Sequence, residues 1–545
     1  MKEKQTNPER ETPDTNSYPV VKNNSRRLPE LLYFSGLLII AVSLPLSQYM
    51  MSIGQWVLAF AWLAGGDFKN KLRNFVANRA ALLVCSLFVL HLAGLLYTSD
   101  IEYGLKDVRI KIPLFVLPFI LSTGPLISRK QFAWLTAAFV AAVFAATMAS
   151  MGVILGIISH YAKDIRDTSI FISHIRFSLL ICLSVFMLIY FIYTGYTVIS
   201  LTRRLLLFLL AAWFVAFLVI TESITGLAIL GAGLLLTISY FIFTEGKAWY
   251  RIVFLMFLVT GTLTFVLYVR QTMHEVRLEM PVNPAGLQPY TANGNPYVHT
   301  TSSRDAENGH PVWIYICRKE MEEEWNRRSL FSFTGKDQKG QLIESTLIRF
   351  LSSKGIRKDA AGVSSLSDSE VHDVERGITN VRYRYGGSIR ARIYQIVWEY
   401  NSYLAGDDPS GHSVMQRLEF WKAAAGIISD HPVFGVGTGD IKNAFDEKYV
   451  QIKSPLFKAW RLRAHNQFLA IAVAFGYAGL AWFLIILIYP LLNKETRGNY
   501  LYLMFFMIVF FSMLTEDTLE TQAGATFFAF FNSLLLFGCS NEKEK

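Results

Sequence analysis

Residues 132–158 read FAWLTAAFVAAVFAATMASMGVILGII, 27 residues in a row without a charged side chain. Hydrocarbon about 30 Å thick takes roughly 20 apolar residues per helical crossing, so this stretch spans a membrane with length left over for tilt. Working outward, comparable runs fall at 31–48, 50–65, 80–97, 110–127, 178–196, 205–220, 224–243, 252–269, 467–490, 500–515 and 522–538. Together they predict an all-α polytopic integral membrane protein of about twelve transmembrane helices. The composition agrees: 52% of the 545 residues are hydrophobic and 17% charged, whereas soluble domains carry about a quarter charged residues.

The basic residues orient the spans. With the N-terminus inside, the short cytoplasmic segments collect 20 Lys and Arg and the short outer loops six, the asymmetry that places both termini in the cytoplasm. The remaining 26 lie between 270 and 465, in one long outer segment exempt from that count. The predicted organisation is a cytoplasmic tail over 1–30, helices 1–9 over 31–269, a large outer loop domain over 270–465, helices 10–12 over 466–538 and a cytoplasmic tail over 539–545. Within the loop, 310–328, 342–354 and roughly 414–429 read as amphipathic helices.

Several classes of protein are excluded. Three of the four cysteines, Cys85, Cys182 and Cys539, sit in apolar runs, which is not a disulfide framework. No Cys/His spacing suggests zinc. The net charge of +10 follows largely from topology and needs no nucleic acid. The spans show no repeated halves of the kind transporters carry, and the notable polar residues gather at the outer surface.

Candidate chemistry concentrates in 411–480. Gly435-Val436-Gly437-Thr438-Gly439-Asp440 is either an anion-binding nest of backbone amides or a tight turn after Pro432; it lacks both the dinucleotide and the phosphate-loop pattern. Arg461-Leu462-Arg463-Ala464-His465-Asn466-Gln467 precedes the tenth span. His465 there is either a general base facing a lipid-linked substrate or part of an interfacial cap. Arg417 lies one helical turn before Trp421, suited to guanidinium stacking or to an ordinary helix with its Trp in the core. Arg176 opens the sixth span, where an arginine either snorkels or binds an anion. Glu516, in the outer turn Thr515-Glu516-Asp517-Thr518-Leu519-Glu520, can orient a histidine or a sugar hydroxyl, or belong to a solvated loop. His91 and Glu222 are further polar groups in or near spans.

Arg417-x-x-x-Trp421, then His431-Pro432-x-x-Gly435-x-Gly437-x-Gly439, then His465-Asn466-Gln467 and Gly476-x-x-Gly479, resembles the O-antigen ligase/polymerase superfamily. The twelve-span layout with a large loop before the last spans is similar to the ligase branch, and Gly94-Leu95-Leu96-Tyr97-Thr98-Ser99-Asp100 resembles the segment after its third span. Asn308-Gly309, Trp325-Asn326-x-Arg328-Ser329 and Ser353-Lys354-Gly355-x-Arg357-Lys358-Asp359 look like the variety in Bacteroidetes-type bacteria.

The resemblance implies an inner-membrane glycosyltransferase that needs no metal or other cofactor. It would move a glycan from an undecaprenyl-diphosphate carrier to lipid A–core on the periplasmic face, so the large loop becomes periplasmic. Its close alternatives are an O-antigen polymerase or a protein O-oligosaccharyltransferase with the same donor; a transporter or flippase is a separate reading from another class, against which the unrepeated spans and the outward polar residues weigh. By resemblance, His465 activates the acceptor hydroxyl, and Arg176, with Arg417, binds the diphosphate. In place of the Ser-Arg that family members often carry at the start of the eighth span, this chain has Ser223-Ile224-Thr225-Gly226. Arg461, Arg463 or another loop cation then has to substitute. Gly435, Gly437, Gly439, Asp440 and Glu516 complete the expected substrate-binding set.

Overall fold

The computed structural model of the chain describes residues 27–160, 165–194, 200–244, 247–278, 280, 282–384 and 389–539. Most of the expected tails, 1–26 and 540–545, lies outside the described residues. The first helices are α1 (Arg27–Ser43), α2 (Gln48–Ala64), α3 (Phe68–Ala77), α4 (Arg79–Gly94), α5 (Ile101–Lys111), α6 (Pro113–Thr123) and α7 (Arg129–Ile154). They are followed by α8 (His174–Thr194), α9 (Leu201–Ile220), α10 (Ile224–Thr244) and α11 (Ala248–Val276). Beyond these, α12 (Arg318–Arg328), α13 (Ile343–Ser353), α14 (Ala360–Ser364) and α15 (Asp368–Glu375) form one group, and α16 (Ile389–Ala405), α17 (Ser413–Asp430) and α18 (Ile441–Gln451) another. The chain ends with α19 (Gln467–Ile488), α20 (Lys494–Gly498), α21 (Tyr500–Thr515) and α22 (Gln522–Ser533). Among the described residues the only strands are β1 (Ala306–Glu307) and β2 (His310–Pro311), paired antiparallel.

This is an all-α polytopic membrane protein. Seven helices, α4, α7, α8, α9, α10, α11 and α19, are long and apolar enough to cross a membrane, and α1, α21 and α22 are shorter apolar helices. Their apolar faces merge in one core, where α8 contributes Leu180, Cys182 and Phe186, and α21 contributes Phe505 and Ile508. At the periphery, α11 leaves Leu255, Phe257, Val259 and Leu267 exposed, as a helix facing lipid does.

The run 110–127 is not one helix. It is split between α5 and α6, with Pro113 at the first position of α6, where its missing N–H costs nothing. The 11 residues of α6 rise about 16 Å, half a bilayer core. Lys111, at the break, is fully buried against Asp107 and Glu520; a charge held by two carboxylates is not available to face lipid.

The segment 270–465 has two parts. Residues 312–378 pack around their own core of Trp325, Phe350, Leu351 and Val363. The helix expected over 310–328 begins only at Arg318, because His310–Pro311 pairs in the hairpin and Ile316 bridges both Val298 and Lys358 in extended conformation. The second part, α17 and α18, shares the core of the bundle through Phe420, Ala424, Phe445 and Tyr449. The first part is fastened to the end of α11, where Gly309 donates to the Glu275 carbonyl (2.7 Å) and Leu278 to that of Arg304 (2.8 Å).

The loop between α17 and α18 meets the bundle where α19 is broken. Gly476 sits at φ 63° and ψ −165° inside that helix, which interrupts its hydrogen-bond ladder. The loop 432–437 repairs it reciprocally. Val436 and Gly437 donate to the carbonyls of Val473 and Ala474 (3.0 and 2.9 Å), and Tyr477 donates to that of Pro432 (2.7 Å). A Cβ on Gly476 would lie 2.3 Å from the Val433 carbonyl carbon, and a non-glycine residue at that φ is strained by about 1–3 kcal/mol. Gly476→Ala is therefore expected to lower the thermal unfolding midpoint in detergent by several degrees. Gly231→Ala in α10, which meets nothing within 4 Å, should leave it unchanged; equal midpoints for both variants would refute this account of the break.

Candidate active site

The turn between α21 and α22 is buried, not solvated: Glu516, Asp517 and Glu520 are 8%, 6% and 5% exposed. Two neighbouring residues clamp it. Asn466 caps α19 by accepting from the Leu469 amide (3.0 Å), and its amide nitrogen donates to the Leu514 carbonyl (2.9 Å). Gln467 donates to Glu520 (3.0 Å) and accepts from the Leu519 amide (2.7 Å). The His465-Asn466-Gln467 segment and the acidic turn are thus one unit.

Cations close the unit. Glu520 accepts from Lys111 (2.8 Å) and lies 3.4 Å from Arg463, while Arg463 is 3.5 Å from Asp517. Glu516 binds Arg417 Nη2 through one oxygen (2.8 Å) and His465 Nδ1 through the other (3.2 Å). His465 itself takes a left-handed conformation, φ 46°, and its ring lies 5.6 Å from that of Phe420. The preceding carbonyl, of Ala464, accepts from Trp421 Nε1 (3.0 Å). Trp421 therefore anchors the histidine's backbone, while Arg417, one turn earlier, pairs with Glu516 instead of stacking.

The carboxylates respond differently to this setting. Burial works to raise the Glu516 carboxyl, but His465 and Arg417 outweigh it and hold the group below its ordinary range. Burial pushes Asp517 up, against the opposing pull of Arg463 and His465. Burial would also raise Glu520, yet Lys111 and Arg463 hold it well below the usual carboxylate range.

Arg176, on α8, lines a small cavity with Ala523, Gly524 and Phe527 of α22, just beyond the same turn. One of its nitrogens donates to Ser173 (3.1 Å), and among the described residues its Nε is buried without a hydrogen-bond partner. The same holds for Arg417 Nε. Arg461 does not join them: its Nε donates to the Leu456 carbonyl (3.1 Å) and its guanidinium lies 5.9 Å from the Tyr449 ring.

The glycine motif was expected to offer its amides to an anion. They are spent on protein. Gly435 donates to His431 (3.1 Å), Val436 and Gly437 to α19, and Thr438 to Gly94 (3.4 Å); Gly439 donates to Thr98 Oγ1 (2.9 Å). Asp440 accepts from the amides of Ser99 (2.8 Å) and Asp100 (2.9 Å). Gly435 and Gly437 therefore pack the loop on α19 at Ala474, while Gly439 and Asp440 dock it against the short connection between α4 and α5, far from it in sequence. His91 belongs to the same joint: its Nδ1 contacts the Leu87 carbonyl (2.8 Å) and its carbonyl accepts from Thr438 (2.8 Å). Glu222, at φ 50°, lies in the turn between α9 and α10, its amide donating to the Val219 carbonyl (3.1 Å).

Sequence reasoning missed Asp107 and Lys111 as parts of this unit, and named Gln467, Asp517 and Glu520 only as members of their motifs. A signal for the first two was present. Asp107 and Lys111 lie four apart on a helix ending at Pro113, the spacing of a facing ion pair.

His465, Glu516 and Asp517 also offer one ligand atom each within 4.8 Å of one another, a spacing that suits a metal ion. Both carboxylates are already matched by guanidiniums, Glu516 by Arg417 and Asp517 by Arg463. A cation there would have to displace them.

The fold and the site define a polytopic membrane protein that sets a histidine–carboxylate pair among arginines at one end of its helical bundle. Residues 377–484, which carry Arg417, the docked glycine loop and His465, match the family model described as O-Antigen ligase. That match supports the O-antigen ligase/polymerase superfamily as the family of this chain. No curated protein sequence matches it.

Two substitutions should separate the carboxylates. Glu516 is depressed, so its stabilisation is complete above the ordinary glutamate value of 4.5 and is lost as pH falls through the lower folded value. Glu516→Gln at pH 7 removes charged hydrogen bonds worth about 1.5–3 kcal/mol each and should lower the unfolding midpoint. Asp517 is raised, so its ionised form is a cost at neutral pH; Asp517→Asn should match or exceed the wild-type midpoint there. A lower midpoint for Asp517→Asn than for Glu516→Gln would refute the assignment. Lys111→Met, which leaves buried Asp107 without its paired cation and Glu520 with Arg463 alone, should be more damaging than either, by about 3–5 kcal/mol.

Proposed function

We propose that the chain is a membrane glycosyltransferase, an O-antigen ligase that moves a glycan from undecaprenyl diphosphate to lipid A–core at the periplasmic face of the inner membrane. The observation that carries this reading is the His465–Glu516 contact. With the Nδ1 proton directed at Glu516 (3.2 Å), the lone pair of Nε2 is left for the acceptor. A carboxylate behind an imidazole fixes its tautomer and stabilises the cation that forms when it takes a proton.

The acceptor hydroxyl oxygen attacks the anomeric carbon as its proton passes to His465 Nε2. The bond from that carbon to the phosphate oxygen breaks, and the diphosphate leaves with the electron pair. Arg176 and Arg417, each with a buried Nε unpaired, are suited to the departing charge. Guanidiniums bind phosphate oxygens in pairs, and fixed donors in a partly dry site stabilise charge that develops in the transition state. A single displacement inverts the anomeric configuration. Neither nucleotide nor metal enters these steps, because a diphosphate is already a good leaving group.

His465→Ala, returned to a deletion strain at matched membrane levels, is expected to leave lipopolysaccharide with intact core but no high-mass ladder, while lipid-linked glycan accumulates. A normal ladder from the variant would remove His465 as the essential base. Single repeat units on the core in the deletion strain would indicate the polymerase alternative, and a normal ladder in that strain would direct attention to a protein acceptor. NMR of the product linkage checks inversion; retention of configuration would rule out the single displacement.

A further inference from the structure

The seam between α16 and the start of α17 holds polar groups that the steps above do not use. Arg392 and Glu399 lie two turns apart on α16, His412 caps the start of α17, and Ser413 and Gln416 lie in its first turn. Glu399 Oε1 is 3.2 Å from His412 Nδ1, and Arg392 Nη2 reaches Ser413 Oγ at 3.4 Å. Among the described residues, Glu399 Oε2, Gln416 Nε2 and Arg392 Nε are all buried without a hydrogen-bond partner, in side chains of which Glu399 is 3% and Gln416 7% exposed. Natural proteins rarely leave buried polar atoms unpaired, and a cluster of them marks a place where something else completes the bonds.

The seam runs into the candidate active site. Arg417, the next residue after Gln416, gives Nη1 to the Ser413 carbonyl (3.4 Å) and Nη2 to Glu516 (2.8 Å). Arg392 and His412 are half-exposed at the rim, so the row is reachable from outside. One charged acceptor flanked by amide and guanidinium donors matches the hydroxyls of a sugar, each of which donates and accepts. We propose that the α16–α17 seam is a glycan subsite, in which Glu399 accepts from, and Gln416 and Arg392 donate to, the hydroxyls of a donor sugar close to the diphosphate. The subsite rests on the glycosyltransferase reading and gives it a place to hold sugar as well as phosphate.

The test uses the full-length protein in detergent and two probes: undecaprenyl diphosphate, and the undecaprenyl-linked glycan extracted from the deletion strain. Wild type is expected to bind the glycan-bearing lipid at least tenfold more tightly. Glu399→Gln and Gln416→Leu should each remove most of that difference, as loss of a hydrogen bond in a buried polar site does, with undecaprenyl diphosphate binding and the unfolding midpoint unchanged. If either variant keeps the full tenfold preference, the seam is completed by ordered water and the proposal fails. It fails also if wild type shows no preference, or if both lipids weaken equally in the variants, which would assign these residues to structure. Wild type binding neither lipid would instead overturn the glycosyltransferase reading itself, and the subsite with it.

Discussion

A single buried carboxylate organises one end of this bundle. Glu520 is 5% exposed and collects Lys111 from α5, Arg463 from the segment before α19 and Gln467 from the first turn of α19. Taking such charges out of water is expensive, and the arrangement persists only because every charge finds a partner and the remaining hydrogen-bonding groups are satisfied. Three stretches, around Lys111, around Arg463 and around Glu520, are therefore oriented relative to one another by electrostatics in addition to apolar packing, which has no preferred direction. The break between α5 and α6 follows from the same requirement. Lys111 must turn inward to Asp107 and Glu520, and Pro113 restarts the helix on the far side.

The second fixed point is the reciprocal repair of α19. A helix opened at Gly476 leaves carbonyls and amides that cannot stay unpaired in an apolar surrounding. The loop 432–437 supplies both the donors and the acceptors, so the glycine motif and the broken helix account for each other. Between these two fixed points lies the short stretch from Arg461 to Gln467. His465 is held at a strained φ because its neighbours on both sides are tied down, Ala464 by Trp421 and Asn466 by Leu514. Strain of this kind survives where the surroundings over-determine the backbone, as they do at functional sites.

The sequence disclosed the parts that depend on period and composition. Apolar runs announce membrane helices because hydrocarbon admits little else, and α13 and α17 fall within a residue of their expected limits for the same reason of amphipathic spacing. His465, Arg417 and Glu516 were legible as chemistry-bearing residues, and the structure brings those three into contact. What the sequence hid was pairing. Gly435-Val436-Gly437-Thr438-Gly439 reads equally as an anion nest or as a docking turn, because the same exposed amides serve both; only the positions of Val473, Ala474 and Gly94 decide. The acidic turn looked solvated since three acids without a local cation normally are, and its cations, Lys111, Arg417 and Arg463, come from remote segments. Arg461 and Arg463 are indistinguishable in sequence, yet one turns to Tyr449 and the other to Glu520.

The charges around the site also bear on the arginine that the resemblance leads one to expect near Ser223-Ile224. At that point α10 lies close against α8: Ser223 Oγ is 2.5 Å from Ser178 Oγ, while Ile224 is exposed, so a side chain following Ser223 does not face the acidic turn. Four carboxylates, of Asp107, Glu516, Asp517 and Glu520, are set against four cations, of Lys111, Arg176, Arg417 and Arg463. Lys111 is consumed by structure, and Arg463 by Asp517 and Glu520. Among the described residues, Arg417 bonds Glu516 and the Ser413 carbonyl and keeps an unpaired Nε, and Arg176 has Ser173 as its direct hydrogen-bond partner. The cations with bonding capacity in reserve are thus Arg176 and Arg417, on two helices that flank His465 and Glu516. A guanidinium differs from an ammonium in offering a second, parallel donor once the first is engaged, which is why these two positions call for arginine and not lysine.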